Sequence, residues 1–118
     1  MSYTDIKRRL DAGKIIVLDG ATGTELQRRG AQMDPSAWCG PASLNNSELL
    51  TQVHLDYIDA GADVITANTF ASSRLMLTPA GFADRVEEIN RIAVEAALRA
   101  RDIATAKSPS RKICISLK

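Results

Sequence analysis

The sequence predicts an α/β protein built on a parallel sheet. Three short apolar runs carry this expectation: Ile15-Ile16-Val17-Leu18, Val64-Ile65-Thr66-Ala67 and Ile113-Cys114-Ile115-Ser116-Leu117. They are rich in β-branched residues and short enough to be strands. They lack an alternating pattern, which suggests strands covered on both faces, as in a parallel sheet. Helical segments separate them, and strand–helix alternation implies right-handed parallel crossovers.

Each element has its own signals. Residues 4–12 predict a helix capped by Thr4 and stopped by Gly13. The first strand, near 15–18, ends at Asp19-Gly20, and a short helix over 24–29 closes at Gly30. The stretch 30–46, with Pro35, Pro41, Asn45 and Asn46, reads as a loop. Residues 47–60 predict a strong helix. Leu50, Val53, Tyr57 and Ile58 share one face, with Leu49 at its edge. Asn45, Asn46 and Ser47 offer N-caps, Glu48 suits the first turn and Gly61 suits a left-handed stop. The second strand, near 63–67, leads to a loop at 70–83 with Pro79 and Gly81. A longer helix follows over 84–106, with Asp84 as cap and an apolar stripe of Val86, Ile89, Ala93, Ala96, Ala97, Ala100 and Ile103. The third strand, near 113–117, leaves only Lys118 after it. Such a sheet has two open edges. Either another chain completes it, or the sequence is a piece of something larger.

Composition narrows the function classes. The chain has 118 residues, the size of one modest domain, with 25% charged and 45% apolar side chains, which argues against disorder. Fifteen basic and 14 acidic residues give a net charge of +1. No global field steers the chain to nucleic acid or an acidic membrane. Aromatics at 4% are too few for a base-stacking surface. No apolar run reaches the ~20 residues of a membrane span, and the polar start lacks a secretory core. Two cysteines, Cys39 and Cys114, are too few for a disulfide scaffold and read as small packed thiols. A cytoplasmic location is the default expectation. Two thiols and the single His54 do not easily supply a zinc site.

In parallel α/β proteins the ligand site lies at the carboxyl ends of the strands. That rule selects Asp19-Gly20-Ala21-Thr22-Gly23-Thr24 and Asn68-Thr69-Phe70. A strand-end Asp is an acceptor, or a counter-charge for an ammonium. Two glycines allow close approach to the backbone, and the N–H groups of the following helix suit a carboxylate or phosphate. Together they suit an amino acid. The same run equally suits a tight strand-to-helix turn with Asp19 bonded to local N–H groups. No lysine follows Gly23 to make a phosphate loop, and no Gly-x-Gly-x-x-Gly fingerprint is present. Asn68 is a candidate amide donor or a turn former. His54, beside the apolar stripe, reads as a locally bonded helix histidine, Glu25 as a first-turn acid and Trp38 as a packing anchor. Lys7-Arg8-Arg9 and Arg28-Arg29 read as solvated helix faces.

Two runs carry a family resemblance. The segment from Ile16 to Gly30, through Asp19-Gly20-Ala21-Thr22-Gly23-Thr24-Glu25-Leu26, resembles the opening of homocysteine S-methyltransferases. So does Val53 to Phe70, whose Tyr57-Ile58-Asp59-Ala60-Gly61-Ala62-Asp63 leads through a strand to Asn68-Thr69-Phe70. Ala67 between Thr66 and Asn68 is a slight departure, and Ala21 stands where a second glycine is common. The 113–117 run resembles the family's third strand.

The resemblance implies a TIM (β/α)8 barrel of which residues 1–118 form the N-terminal fragment, the first three β/α units. It implies methyl transfer to the thiol of homocysteine, giving methionine. The donor is S-methylmethionine, S-adenosylmethionine, betaine or methylcobalamin charged from methyltetrahydrofolate. A free thiol, with pKa near ~8.5, is mostly protonated at neutral pH, and binding to zinc deprotonates it. The family holds zinc with three late cysteines that Cys39 and Cys114 do not match. The chain alone is therefore expected to be inactive and to need the rest of the barrel. The resemblance assigns Asp19 and Gly20 to the amino-acid head of homocysteine, with Asn68 and Thr69 as further pocket residues. The alternatives are a non-catalytic α/β module that docks its open edge on a second chain, and a small amino-acid- or anion-binding protein using the Asp19–Thr24 turn.

Overall fold

The computed structural model describes residues 2–118. Helix α1 (Tyr3–Asp11) opens the chain. Its cap is Ser2 rather than Thr4. The Ser2 hydroxyl accepts from the Asp5 amide while the Asp5 carboxylate accepts from the Ser2 amide, a reciprocal pair that satisfies two otherwise orphaned donors. After the first apolar run come α2 (Gly23–Arg28) and the single turn α3 (Ala42–Asn45). Helix α4 (Ser47–Asp59) leads into strand β1 (Val64–Thr66). A 3-10 turn at Phe70–Ser72 and α5 (Arg74–Leu77) lie within the expected loop at 70–83. Helix α6 (Val86–Lys107) follows a 3-10 turn at Ala83–Arg85 and leads to strand β2 (Cys114–Ser116). Asp84 falls inside that turn and does not cap α6.

The strands are parallel, as expected. β1 pairs with β2 in the register Val64↔Cys114, Ile65↔Ile115 and Thr66↔Ser116. The run at 15–18 is not a full strand. It joins the other edge of β1 through one parallel bridge, Leu18↔Val64. Two carboxylates hold it in place. The Asp63 carboxylate accepts from the Val17 amide at 2.9 Å and from Arg9 at 3.1 Å, and the Asp19 carboxylate accepts from Thr66. With the backbone bonds of Val17 and Asp19 to β1, they hold the run at its carboxyl half, and the pairing does not extend back to Ile15 and Ile16.

Helices cover one face of this sheet. Ile65, Ile113 and Ile115 pack with Ile58 of α4 and with Ala97, Ala100 and Ala104 of α6. Alanines along α6 keep it close to both α4 and the strands, since a methyl group adds little to the interaxial distance. The expectation of strands covered on both faces fails for the first run, whereas Val64 and Ile65, on opposite faces of β1, are both buried. Ile15 is 81% exposed and Leu18 is 67% exposed. On the face opposite α4 and α6, α1 sets Tyr3, Ile6 and Leu10 around an open apolar groove with Ile16, Leu18 and Val64.

Candidate functional site

A cleft of about 470 Å³ opens at the carboxyl ends of the strands. Asp19, Gly20, Gly23, Trp38, Thr66 and Asn68 are among the residues that line it. Two of the four residues assigned from sequence, Asp19 and Gly20, share one wall. Both oxygens of Asp19 are fixed by β1: Oδ2 accepts from the Thr66 amide at 2.7 Å and Oδ1 from the Thr66 hydroxyl at 3.1 Å. These bonds cross between strands and are not the local turn contacts that the bare sequence allows. They orient the carboxylate and leave its other lone pairs available to a cation. Thr66 was not singled out from the sequence. Its signal was present, because a threonine at a strand tip next to an Asp-ended strand is placed to bond that carboxylate.

Beside Asp19 the backbone is open. Among the described residues, the amides of Gly20, Ala21, Thr22 and Gly23 make no hydrogen bond. Gly20 admits Tyr57, whose hydroxyl donates to the Ala21 carbonyl at 3.0 Å. A Cβ on Gly20 would stand 2.9 Å from that hydroxyl. At Gly23 a Cβ would stand 2.6 Å from the Trp38 ring and 2.8 Å from Cys39 Sγ. Glycine there lets the indole lie on the start of α2, so Trp38 anchors the wall while 41% of it remains exposed. Phe70, 72% exposed, stands at the same mouth.

Asn68 is buried, and its amide is committed inside the protein. Nδ2 donates to the Cys39 carbonyl at 2.9 Å and to Ser43 Oγ at 3.2 Å, and Oδ1 accepts from the Cys39 thiol at 3.4 Å. It ties the loop carrying Trp38 and Cys39 to the tip of β1. Thr69 does not line the cleft, and its hydroxyl accepts from the Lys118 amide at 3.1 Å. Burial pushes the Cys39 thiol above its ordinary pKa, so it stands as a neutral thiol. Cys39 and Cys114 are both free. Among the described residues no group of three or more His, Cys, Asp or Glu side chains is arranged to hold a metal ion. The donor set of residues 2–118 does not fit zinc.

Other expectations change. His54 is not locally bonded: it is fully buried, and neither ring nitrogen has a partner. Arg29 is no solvated cation, because it bridges Glu25 on α2 to Asp56 on α4 at 2.9 and 2.6 Å. Nor is Arg9, which pairs with Asp63.

Parallel strands whose carboxyl ends frame an acid-walled cleft define a mixed α/β protein with a strand-tip cleft, the place where such folds carry their ligand sites. A sequence model of homocysteine S-methyltransferase matches residues 16–117, and the chain belongs to that family. A homocysteine S-methyltransferase of Escherichia coli is 40% identical over 111 residues, covering 88% of this chain and 34% of that protein. A selenocysteine methyltransferase of Astragalus bisulcatus is 39% identical over 93 residues, covering 78% of this chain and 28% of its own length. The crystal structure of the Escherichia coli homocysteine methyltransferase MmuM in its oxidised form superposes with a TM-score of 0.80 at 28% identity. It covers 94% of this chain and 40% of that one. The metallated form superposes with a TM-score of 0.71 at 33% identity, covering 93% and 39%. The chain thus spans about a third of the length of the curated relatives it matches.

Proposed function

We propose that residues 1–118 are the N-terminal part of a homocysteine S-methyltransferase barrel and supply the end of the site that holds the substrate's amino-acid head. The observation that carries this reading is the Asp19 carboxylate, fixed by Thr66 at the cleft wall beside a stretch of unpaired amides. Homocysteine carries an ammonium and a carboxylate on one carbon. Asp19 receives the ammonium, and the amides of Gly20–Gly23 receive the carboxylate. Asn68 and Thr69 act one step back: Asn68 holds the Trp38–Cys39 wall, and Thr69 holds the chain after β2.

In the reaction, the homocysteine sulfur forms a bond to the donor's methyl carbon. The bond from that carbon to the donor breaks, its electron pair leaves with the donor, and the thiol proton is given up to solvent. The product is methionine. Holding the head sets the direction of the thiol and converts an encounter into a positioned attack. Zinc is the metal this chemistry calls on in the family. The residues here do not form its site, and no step through a metal is derived for this chain. The reading therefore gives the chain substrate binding without turnover.

Calorimetric titration with L-homocysteine tests it. The chain is expected to bind saturably, and Asp19→Asn to weaken binding by about ten- to a hundredfold, the loss of one charge-assisted hydrogen bond of ~1.5–3 kcal/mol. Equal affinity in the two proteins contradicts the assignment, and so does methionine formation by the isolated chain.

A further inference from the structure

The opposite end of the sheet carries a second, basic cleft. It has a volume of about 380 Å³ and lies where Lys14, Asp63 and Arg111-Lys112 approach the amino ends of the strands beside α1. Its lining holds five cations, Arg8, Arg9, Lys14, Arg111 and Lys112, against two carboxylates, Asp5 and Asp63. The formal surplus is therefore three positive charges, on a chain whose net charge is only +1.

Both carboxylates are already committed. Asp5 closes the cap of α1 and pairs with Arg8 at 3.4 Å. Asp63 accepts from Val17 and pairs with Arg9 at 3.1 Å. Arg8 and Arg9 also occupy the last turn of α1, where a cation complements the helix dipole. Those two arginines are explained by structure alone. The other three are placed more loosely, with Arg111 near enough to help hold the Asp63 carboxyl below its ordinary pKa and Lys112 that of Asp5. Among the described residues Lys14 and Lys112 make no ion pair, and Arg111 has none either. The Arg111 guanidinium donates from Nη2 to the Ala62 carbonyl, while its Nε is buried without an acceptor. A guanidinium anchored on the backbone and flanked by two lysines that make no ion pair is a charge arrangement suited to a polyvalent oxyanion.

We propose that this cleft binds a diphosphate group, with Arg111 as its anchored fork and Lys14 and Lys112 as its flanking charges. A single phosphate carries about −1.5 to −2 at neutral pH, short of the surplus of three that a diphosphate approaches. The site lies at the strand end opposite the homocysteine cleft and does not depend on that reading.

The test is calorimetric titration of the whole chain with inorganic pyrophosphate, at low and at physiological salt. Saturable one-to-one binding is expected. Arg111 supports the Ala62 turn, so the informative variant is Lys14→Glu with Lys112→Glu, whose fold is checked by far-ultraviolet circular dichroism. It is expected to weaken pyrophosphate binding by about tenfold or more. Arg99→Glu, on the exposed side of α6, is expected to stay within about twofold of the parent. Homocysteine binding is expected to be unchanged in the double variant. Three results would each overturn the proposal: no binding of pyrophosphate, sulfate binding as tightly as pyrophosphate, or an equal loss in Arg99→Glu and the double variant.

Discussion

His54 shows what one side chain can impose. It lies on α4 with its ring fully buried and both nitrogens unpartnered. Burial pulls its pKa from 6.5 down to about 4. The unfolded chain takes up a proton near 6.5, while the folded protein resists until about 4. Stability is therefore whole above 6.5 and drains as pH falls through that window. By pH 5 the loss from this residue amounts to about 2 kcal/mol. His54→Leu is expected to flatten urea-measured stability between pH 6.5 and 5. At pH 7.5 it is expected to raise stability by about 1 kcal/mol, since two unsatisfied buried atoms disappear. An unchanged slope in the variant would contradict this. The sequence shows a histidine beside an apolar stripe. It does not show that the neighbours of the ring lack acceptors, because those neighbours come from other elements. Arg29 and Arg9 were illegible for the same reason: their partners Asp56 and Asp63 lie far along the chain.

At the scale of elements, the long amphipathic helices were legible and the short pieces were not. The positions of α4 and α6 follow from apolar spacing and from Gly61, which takes the left-handed φ of +113° that ends α4. The single turn α3 has no period to read. It forms where Ser43 meets Asn68 and where Gly40 passes under the 3-10 turn at Phe70–Ser72. A Cβ on Gly40 would stand 2.1 Å from the Ala71 carbonyl oxygen, which is backbone and cannot rotate away. Gly40→Ala is thus expected to cost about 3 kcal/mol of stability, read as a lower urea midpoint together with a changed Trp38 emission. A variant with parental midpoint and emission would show that the loop does not pack so closely. In the first apolar run the residue pattern indicated a strand, but only Leu18 forms a bridge. Among the described residues nothing pairs with its far side, and a single bridge to β1 on the near side does not make a ladder.

Across the whole molecule, the radius of gyration of 14.8 Å exceeds the ~13.5 Å expected of a closed domain of this length. The excess has a visible origin. One sheet face is packed by α4 and α6, while the first apolar run leaves Ile15, Val17 and Leu18 exposed. Apolar surface of that kind drives association. Sedimentation velocity is expected to show concentration-dependent self-association of the chain, reduced by Ile15→Glu. A monomer at every concentration would contradict that expectation. The parallel order of the sheet and the location of the cleft were readable at this scale from strand patterning and the strand-tip rule. The commitment of Asn68 to the loop and the role of Thr66 were not, since both depend on contacts between distant segments.

The claim on which the functional reading turns is that the carboxyl-end cleft grips an amino-acid head through Asp19 and the amides that follow it. Titration of ¹⁵N-labelled chain with L-homocysteine, followed amide by amide, tests this most directly. Saturating shifts are expected at Gly20, Ala21, Thr22, Gly23 and Thr66, with a midpoint about ten- to a hundredfold higher in Asp19→Asn. Shifts centred on Lys14, Arg111 and Lys112 instead, or no shifts at saturating ligand, would contradict it.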